Sequence, residues 1–267
     1  MFSLLSAEID LNLTLSNILK HSDLYHLAKG IRYLALQRCN RTVSILNFKS
    51  RNDAVTDLDF DLQGLIFKEL RASEPQIMCV SEEFIEVSDK EVLCWMVDPL
   101  DGTSNYIQGL PMTAISVAMV EGTKVHMSFV INLINGDVYS AKAGEGVWLN
   151  GSPIRPRSSA IQLIGGSTGF IRENGFNFEG WNLRIFGSQA MHLCYVAQGS
   201  LAGCVSNEAK AWDDAAGSLL VTEAGGAYYH DYPNEGWLSL ASRGASLNSK
   251  ASKVSHQEEI EDVMRRL

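Results

Sequence analysis

Proline is scarce in this 267-residue chain, with only 6 in all, and no Gly/Ser-rich or Pro-rich stretch interrupts it. A flexible linker between independent domains is therefore not expected, and collagen-like or disordered architecture is excluded by 46% apolar content. No apolar run approaches the roughly 18 residues of a membrane span; the cleanest, 113–120, is strand-sized. Basic charge is also short: 22 Lys and Arg stand against 31 Asp and Glu, a net charge of −9. That balance opposes non-specific attraction to a nucleic-acid polymer or an anionic membrane. Five cysteines make an odd count without any C-x-x-C pair, which argues against a disulfide frame and a zinc site. The first residues lack a basic segment and meet Glu8 and Asp10 early, unlike a secretory leader, so the expected location is cytoplasmic.

What remains is a chain long enough for a sizeable core, read as one unit of two packed halves, 1–155 and 156–267. Leu24, Leu27, Ile31 and Leu34 recur at helical spacing in the first forty residues, and Leu62, Leu65, Ile66 and Leu70 predict a second helix over 59–72. From residue 76 short apolar runs take over at 77–80, 94–97, 113–119 and 125–131, with turn signals at Asn135-Gly136 and Asn150-Gly151. They predict a mostly antiparallel sheet. The second half alternates strands near 163, 184–186 and 202–205 with helices over 188–198 and 213–224. That is a layered α/β pattern. Residues 255–267 read as a short charged helix or a frayed tail.

The chemistry concentrates in Cys94-Trp-Met-Val-Asp98-Pro-Leu-Asp101-Gly-Thr103, an apolar strand ending in two carboxylates, a proline, a glycine and a hydroxyl. Pro99 keeps Asp98 out of the helical region, and Gly102 admits positive φ, so the turn can aim both carboxylates at one point. Like charges so close need a cation. Sixteen residues earlier stands Ser81-Glu82-Glu83, and far downstream Trp212-Asp213-Asp214 opens an apolar helix. Hard oxygen ligands without clustered His or Cys point to Mg2+ or Mn2+. Such ions would also let an anionic phosphate approach an acidic protein, with N–H groups at Gly102, Thr103 and the start of the 213–224 helix available for its remaining oxygens. Taken singly, each feature has a plainer reading: Asp, Pro and Gly are turn formers, Glu82-Glu83 a solvated loop, Asp213 or Asp214 an N-cap. His126, His192 and His230 are expected to pack without catalytic duty.

Together, Ser81-Glu82-Glu83, Asp98-Pro-Leu-Asp-Gly-Thr103 and Trp212-Asp-Asp-Ala-Ala-Gly217 resemble, in order and spacing, the three signatures of the inositol monophosphatase family. Weaker similarity runs from Asp53-Ala-Val-Thr-Asp-Leu-Asp59 through Gly144-Glu-Gly-Val-Trp-Leu-Asn-Gly151 to Val221-Thr-Glu-Ala-Gly-Gly226. The resemblance implies an alternating α-β-α-β-α sandwich, related to that of fructose-1,6-bisphosphatase, and a lithium-sensitive, Mg2+-dependent phosphomonoesterase that is commonly a homodimer. Carried over by position, Glu82, Asp98 and the Leu100 carbonyl hold one Mg2+, Asp98, Asp101 and Asp213 a second, and Glu82 touches a third. Thr103 and Asp59 match the pair that orients and deprotonates the attacking water. Asp53, Asp57 and Asp61 lie close by, so a slip of two positions would move that role; the family pattern favours Asp59.

Gly187-Ser188-Gln189 resembles the substrate-side segment at a helix start, whose backbone N–H groups would meet substrate oxygens. One departure stands out. Inositol-selective members carry a Glu seven residues before the last metal Asp; here that position is Ser206, with Glu208 near but out of register. Lys210 is a further candidate for an anionic group of the substrate. The expected activity is hydrolysis of a small phosphorylated metabolite, inositol monophosphate first. A 3′(2′),5′-bisphosphate nucleotidase or fructose-1,6-bisphosphatase-like enzyme is the alternative, encouraged by Ser206. A catalytically silent metabolite-binding or scaffold homologue is the alternative of another class.

Overall fold

A computed structural model describes residues 19–39, 42–50, 53–82, 92–157, 161–174, 181–230 and 239–243. The proposed charged tail at 255–267 and Glu83 lie outside them. Helix α1 (His21–Cys39) buries Leu24, Ala28, Ile31 and Ala35, one side chain per turn, and α2 (Asp57–Ser73) buries Leu58, Leu62, Leu65, Ile66 and Leu70. Helix α2 begins two residues before its apolar stripe predicts. Thr56 and Asp59 close a reciprocal capping box there: the Thr56 hydroxyl accepts from Leu58 N–H, and Asp59 accepts from the Thr56 N–H at 2.8 Å.

A seven-stranded sheet follows, with strands β3 (Met78–Ser81), β4 (Cys94–Asp101), β5 (Ala114–Glu121), β6 (Lys124–Asn132), β7 (Val138–Lys142), β8 (Gly146–Leu149) and β9 (Ser152–Pro153) in chain order across it. Only β3 and β4 run parallel; the rest are antiparallel, as the turn signals predict. Large side chains on one face, among them Trp95, Val97, Ile115, Val117, Phe129 and Ile131, pack with α1 and α2. The other face carries small residues: Ala114, Ser116 and Ala118 of β5 and Ser128 of β6. The Ser116 hydroxyl donates to the Trp212 carbonyl (3.2 Å) and that of Ser128 to the Ala216 carbonyl (3.0 Å). Small, hydrogen-bonding residues let helix α6 (Ala211–Glu223) lie directly on this face.

Helix α5 (Gln189–Ala197) packs beside α6, and beyond the pair lies a second sheet in the order β11 (Asn182–Arg184), β10 (Leu163–Gly166), β12 (Gly203–Ser206), β14 (Ser239–Ser242) and β13 (Ala227–His230). Cys204 and Ala241 from that sheet join the core formed by Ala190, Leu193, Ala216 and Leu220. The layers thus alternate helix, sheet, helix, sheet, with a short helix α4 (Thr168–Asn174) against β12; the layered α/β class is the expected one. Among the described residues no helix is long and apolar enough to cross a membrane.

Two elements departed from the sequence reading. Residues 45–56 form a hairpin, β1 (Ile45–Ser50) and β2 (Asp53–Thr56), whose Ile45, Leu46 and Phe48 are all exposed, so no alternation betrays it. A short helix α3 (Thr103–Gln108) also forms directly after Gly102.

The α5–α6 contact sets where the start of α6 lies. A Cβ on Gly217 would come within 2.4 Å of the Leu193 Cβ, an atom too close to the backbone to swing away. Gly217→Ala is accordingly expected to destabilise the fold by about 1–3 kcal/mol through overpacking. Urea unfolding checks this, and an unchanged midpoint would show that the helices separate freely.

Candidate functional site

Strand β4 delivers the two aspartates of the Asp98–Thr103 segment through an irregularity. It pairs Asp98 with Ser116 and then Asp101 with Ala114, so three steps on β4 match two on β5. Pro99, which has no N–H for the ladder, falls inside this bulge. The Leu100 N–H donates to Asp98 Oδ1 at 3.0 Å, which turns the chain so that both carboxylates reach one cavity. Gly102 then takes φ +84°, and a Cβ there would stand 2.6 Å from the Met112 carbonyl oxygen, so glycine is required on two counts.

The cavity at the end of β4 is lined by Glu82, Asp98, Leu100, Asp101, Thr103 and Asp213, with Gly102 and Gly187 contributing to its walls. An adjoining cavity shares Asp101, Gly187 and Asp213 and adds Ser188, Gln189, His192 and Ser206. Residues separated by up to 131 positions in the chain thus meet, and all five expected metal-binding positions face one space. Asp59 stands behind this wall, 3% exposed. Its Oδ2 accepts from the Thr56 hydroxyl at 2.5 Å, and Thr103 Oγ1 lies 3.2 Å from its Oδ1 and 2.9 Å from the Leu100 carbonyl oxygen. Of the neighbouring aspartates, Asp57 instead accepts from the Ser44 N–H and Asp61 is exposed. The side chain that touches Thr103 is that of Asp59.

Three expectations need correction. The start of α5 does not turn its N–H groups to open space: Ser188 Oγ (2.5 Å), Ala190 N–H (2.8 Å) and, more weakly, Gln189 N–H (3.4 Å) all donate to the Asp101 carboxylate. A helix N-terminus attracts the nearest anion, and here that anion is Asp101. Asp214 is not an N-cap. Lys210 holds that position, and Asp213 at the third helical residue accepts from the Lys210 N–H at 2.7 Å. Asp214 points away, buried, and accepts from Gln189 Nε2 at 2.8 Å. Finally, Ser206 lines the adjoining cavity alone, buried, with its hydroxyl accepting from the N–H groups of Glu208 and Ala209 in a turn-closing duty, whereas Glu208 lines both cavities. Its carboxylate is anchored by the Gly169 N–H at 2.8 Å. Counting residues back from Asp213 cannot reveal this, because the turn closed by Ser206 breaks the register.

Sequence reasoning also missed Lys49 on the β1–β2 hairpin, whose ammonium lies 2.6 Å from Glu82 Oε1 in the cavity wall. Lys210 lines the same cavity as an exposed side chain. His126 pairs with Glu121, away from the cavity, and His230 sits on β13; both pack as expected. His192 is buried, which pushes its pKa down to about 4 and leaves it neutral.

Electrostatics define the site. Burial raises the Asp98 carboxyl well above the usual carboxylate range, and the charges of Asp213, Asp101 and Glu82 push the same way against the Leu100 N–H. Burial likewise lifts Asp101 to about 6, although Ser188, Ala190 and Gln189 hold it back. Asp213 is raised by burial and by Asp101, with the Lys210 N–H opposing. These groups crowd one another with too little positive charge, and oxygen donors of this kind fit a hard divalent ion. Among the described residues no three Asp, Glu, His or Cys side chains converge closely enough to chelate an ion as they stand. Their present partners are the Ser188 hydroxyl on Asp101, the Lys210 N–H on Asp213 and the Lys49 ammonium on Glu82.

Comparison with known proteins agrees with this geometry. A model of the inositol monophosphatase family matches residues 24–265. Nus factor SuhB of Escherichia coli K12 is 36% identical over 195 residues, 67% of this chain and 72% of the relative, and SuhB of Salmonella typhimurium LT2 is 33% identical over 242 residues, 82% and 88%. Among solved structures, the Thermotoga maritima IMPase superposes with a TM-score of 0.72 at 26% identity, covering 91% of this chain and 95% of that one. A layered fold that gathers its acidic signatures at the end of β4 and the start of α6, matched along nearly all of its described length, places the chain in the inositol monophosphatase family.

Proposed function

We propose that the chain is a Mg2+-dependent phosphatase that hydrolyses a small phosphomonoester, with inositol monophosphate as its nominal substrate. The observation that carries this reading is the set of mutually repelling carboxylates of Asp98, Asp101 and Asp213 around one cavity, an arrangement that bound cations would relieve. Glu82, Asp98, Asp101, Asp213 and the Leu100 carbonyl would hold two or three Mg2+ ions, with Mn2+ as a substitute. Bound there, Mg2+ supplies charge compensation for a phosphate and a lowered pKa for water.

The chain's own groups supply the rest. Thr103 lines the cavity with its hydroxyl against Asp59, so a proton taken from water at Thr103 has a buried carboxylate to receive it. The adjoining cavity at Gly187, Ser188 and Glu208 would take the alcohol part of the ester, and Lys210 an added anionic group. Sensitivity to Li+ and a homodimeric state belong to the same reading. The Glu208 carboxylate in the wall suits a hydroxyl-rich leaving group.

Hydrolysis of a generic aryl phosphate should require Mg2+, and kcat/KM across inositol 1-phosphate, adenosine 3′,5′-bisphosphate and fructose 1,6-bisphosphate should be highest for the first. A preference for either bisphosphate would move the assignment to the nucleotidase or fructose-bisphosphatase-like alternative. The curated relatives are named as Nus factors, which favours a second reading, a catalytically silent homologue that serves as an interaction partner. Folded protein without turnover at saturating Mg2+ would establish that reading instead.

A further inference from the structure

The peptide of Phe186, just before the Gly187-Ser188 turn, is gripped from both sides. Its carbonyl accepts from Asn105 Nδ2 at 2.7 Å, and the same amide nitrogen donates its other proton to the Met112 carbonyl at 2.8 Å. Its N–H donates to His192 Nε2 at 3.3 Å, which fixes the ring proton on Nδ1. The Phe186 ring stacks on the His192 imidazole with centroids 4.8 Å apart. Asn105 belongs to α3, directly behind Asp101 and Thr103, while Phe186 and His192 belong to the half of the chain that carries the second sheet. A Cβ on Gly187 would lie 3.0 Å from the Asn105 amide, and one on Gly102 would lie 3.2 Å from the Gly187 carbonyl oxygen. Two glycines therefore let the backbones stack, and one asparagine ties them together.

We infer that Asn105 and His192 are positioning residues: by clamping the Phe186 peptide they set the register between the two halves of the molecule, and so place the Ser188 hydroxyl on the Asp101 carboxylate. The inference rests on the phosphatase reading for its kinetic consequence, though not for the clamp itself. Asn105 lines neither cavity, yet it uses both amide protons on carbonyls from two separate segments. Once that amide is removed, two half-buried carbonyls lose a donor, and the 186–188 turn keeps only the His192 contact at Phe186 and the Asp101 contact at Ser188. Ser188 and Asp101 would then drift apart by a fraction of an ångström, a displacement that costs catalysis far more than it costs folding.

The test is a double-mutant cycle on Asn105→Ala and Ser188→Ala, read as kcat for an aryl phosphate at saturating Mg2+. Each single variant is expected to lose about tenfold to a hundredfold in kcat with KM nearly unchanged, and the double variant no more than the worse single. Asn105→Asp, which keeps the shape but not the amide protons, is expected to behave as Asn105→Ala does. Multiplying losses in the double variant, or rescue by Asn105→Asp, would overturn the inference. Should Asn105→Ala fail to fold, Asn105→Ser, which keeps one donor, takes its place in the cycle. Amide hydrogen exchange gives a readout independent of activity: Asn105→Ala should speed exchange at 186–190 and leave β5 and β6 unchanged. Unaltered exchange at 186–190 would sink the clamp. A wild-type protein without turnover would remove the phosphatase reading alone, with the exchange measurement still deciding the clamp.

Discussion

Asp98→Asn is expected to abolish turnover and, in metal-free protein at neutral pH, to raise the melting temperature. Both effects follow from one arrangement. The Asp98 side chain is 2% exposed and faces Asp213, Asp101 and Glu82, so its folded-state pKa lies above the unfolded value near 3.8. The folded state then binds the proton more tightly than the unfolded chain, and stability falls as pH rises from the unfolded pKa through the folded one. The cost grows as pH rises through that interval unless cations offset it. Asparagine keeps an oxygen for the Leu100 N–H and removes the charge. At this chain length each kcal/mol relieved corresponds to roughly 2–4 °C, so a rise of several degrees is expected. The advantage should fade as pH falls toward the unfolded value near 3.8 and vanish below it, where the wild-type carboxyl is protonated in both states, and Mg2+ should no longer raise the melting temperature of the variant as expected for the wild type. Loss of a carboxylate that would hold Mg2+ against the reacting phosphate should lower kcat by about a thousandfold or more. Phosphate release and thermal melts with and without Mg2+ check the pair of effects; near-normal turnover would remove Asp98 from the site.

Asp59→Asn separates chemistry from capping. As a proton acceptor behind Thr103, Asp59 should contribute about a hundredfold to ten-thousandfold to kcat. As the third residue of α2 it also closes the capping box with Thr56, a structural role worth about 1 kcal/mol. Asparagine retains an oxygen for the Thr56 N–H and loses the capacity to take a proton. The expected result is therefore a kcat reduced by at least two orders of magnitude, with KM and the Mg2+ dependence held and a melting temperature lowered by only a few degrees. A rate within threefold of wild type would leave Asp59 as a helix cap and nothing more. Such an outcome would also return the water-activating role to a different group at Thr103.

The helical stripes of α1 and α2 and the antiparallel runs of β5 and β6 were legible because each buries a periodic face against a partner. Strand β4 was read only to Val97, since Asp98-Pro99 looks like a terminus; the strand continues to Asp101 because the bulge absorbs the proline. In the β1–β2 hairpin Ile45, Leu46 and Phe48 of β1 are all exposed and Ala54, Val55 and Thr56 of β2 are all buried, so neither strand alternates, and with it Lys49 escaped notice. The place of Asp214 at a helix start suggests a cap, but the cap lies four residues earlier and the buried Gln189 amide claims Asp214 instead.

The acidic and hydroxyl groups available, their order and their kinship were determined by the sequence alone, since hard oxygen ligands beside turn formers are local properties of short segments. The bonds that give those groups direction join residues 44, 87 and 89 positions apart: Thr103 to Asp59, Ser188 to Asp101, Ala190 to Asp101. Packing of α2 on the large-residue face of the sheet decided the first of those meetings, and packing of α6 on the small-residue face, with α5 beside it, decided the other two. The same packing put Glu208 rather than Ser206 in the shared wall of the two cavities, because side-chain direction after a turn depends on what the turn closes against.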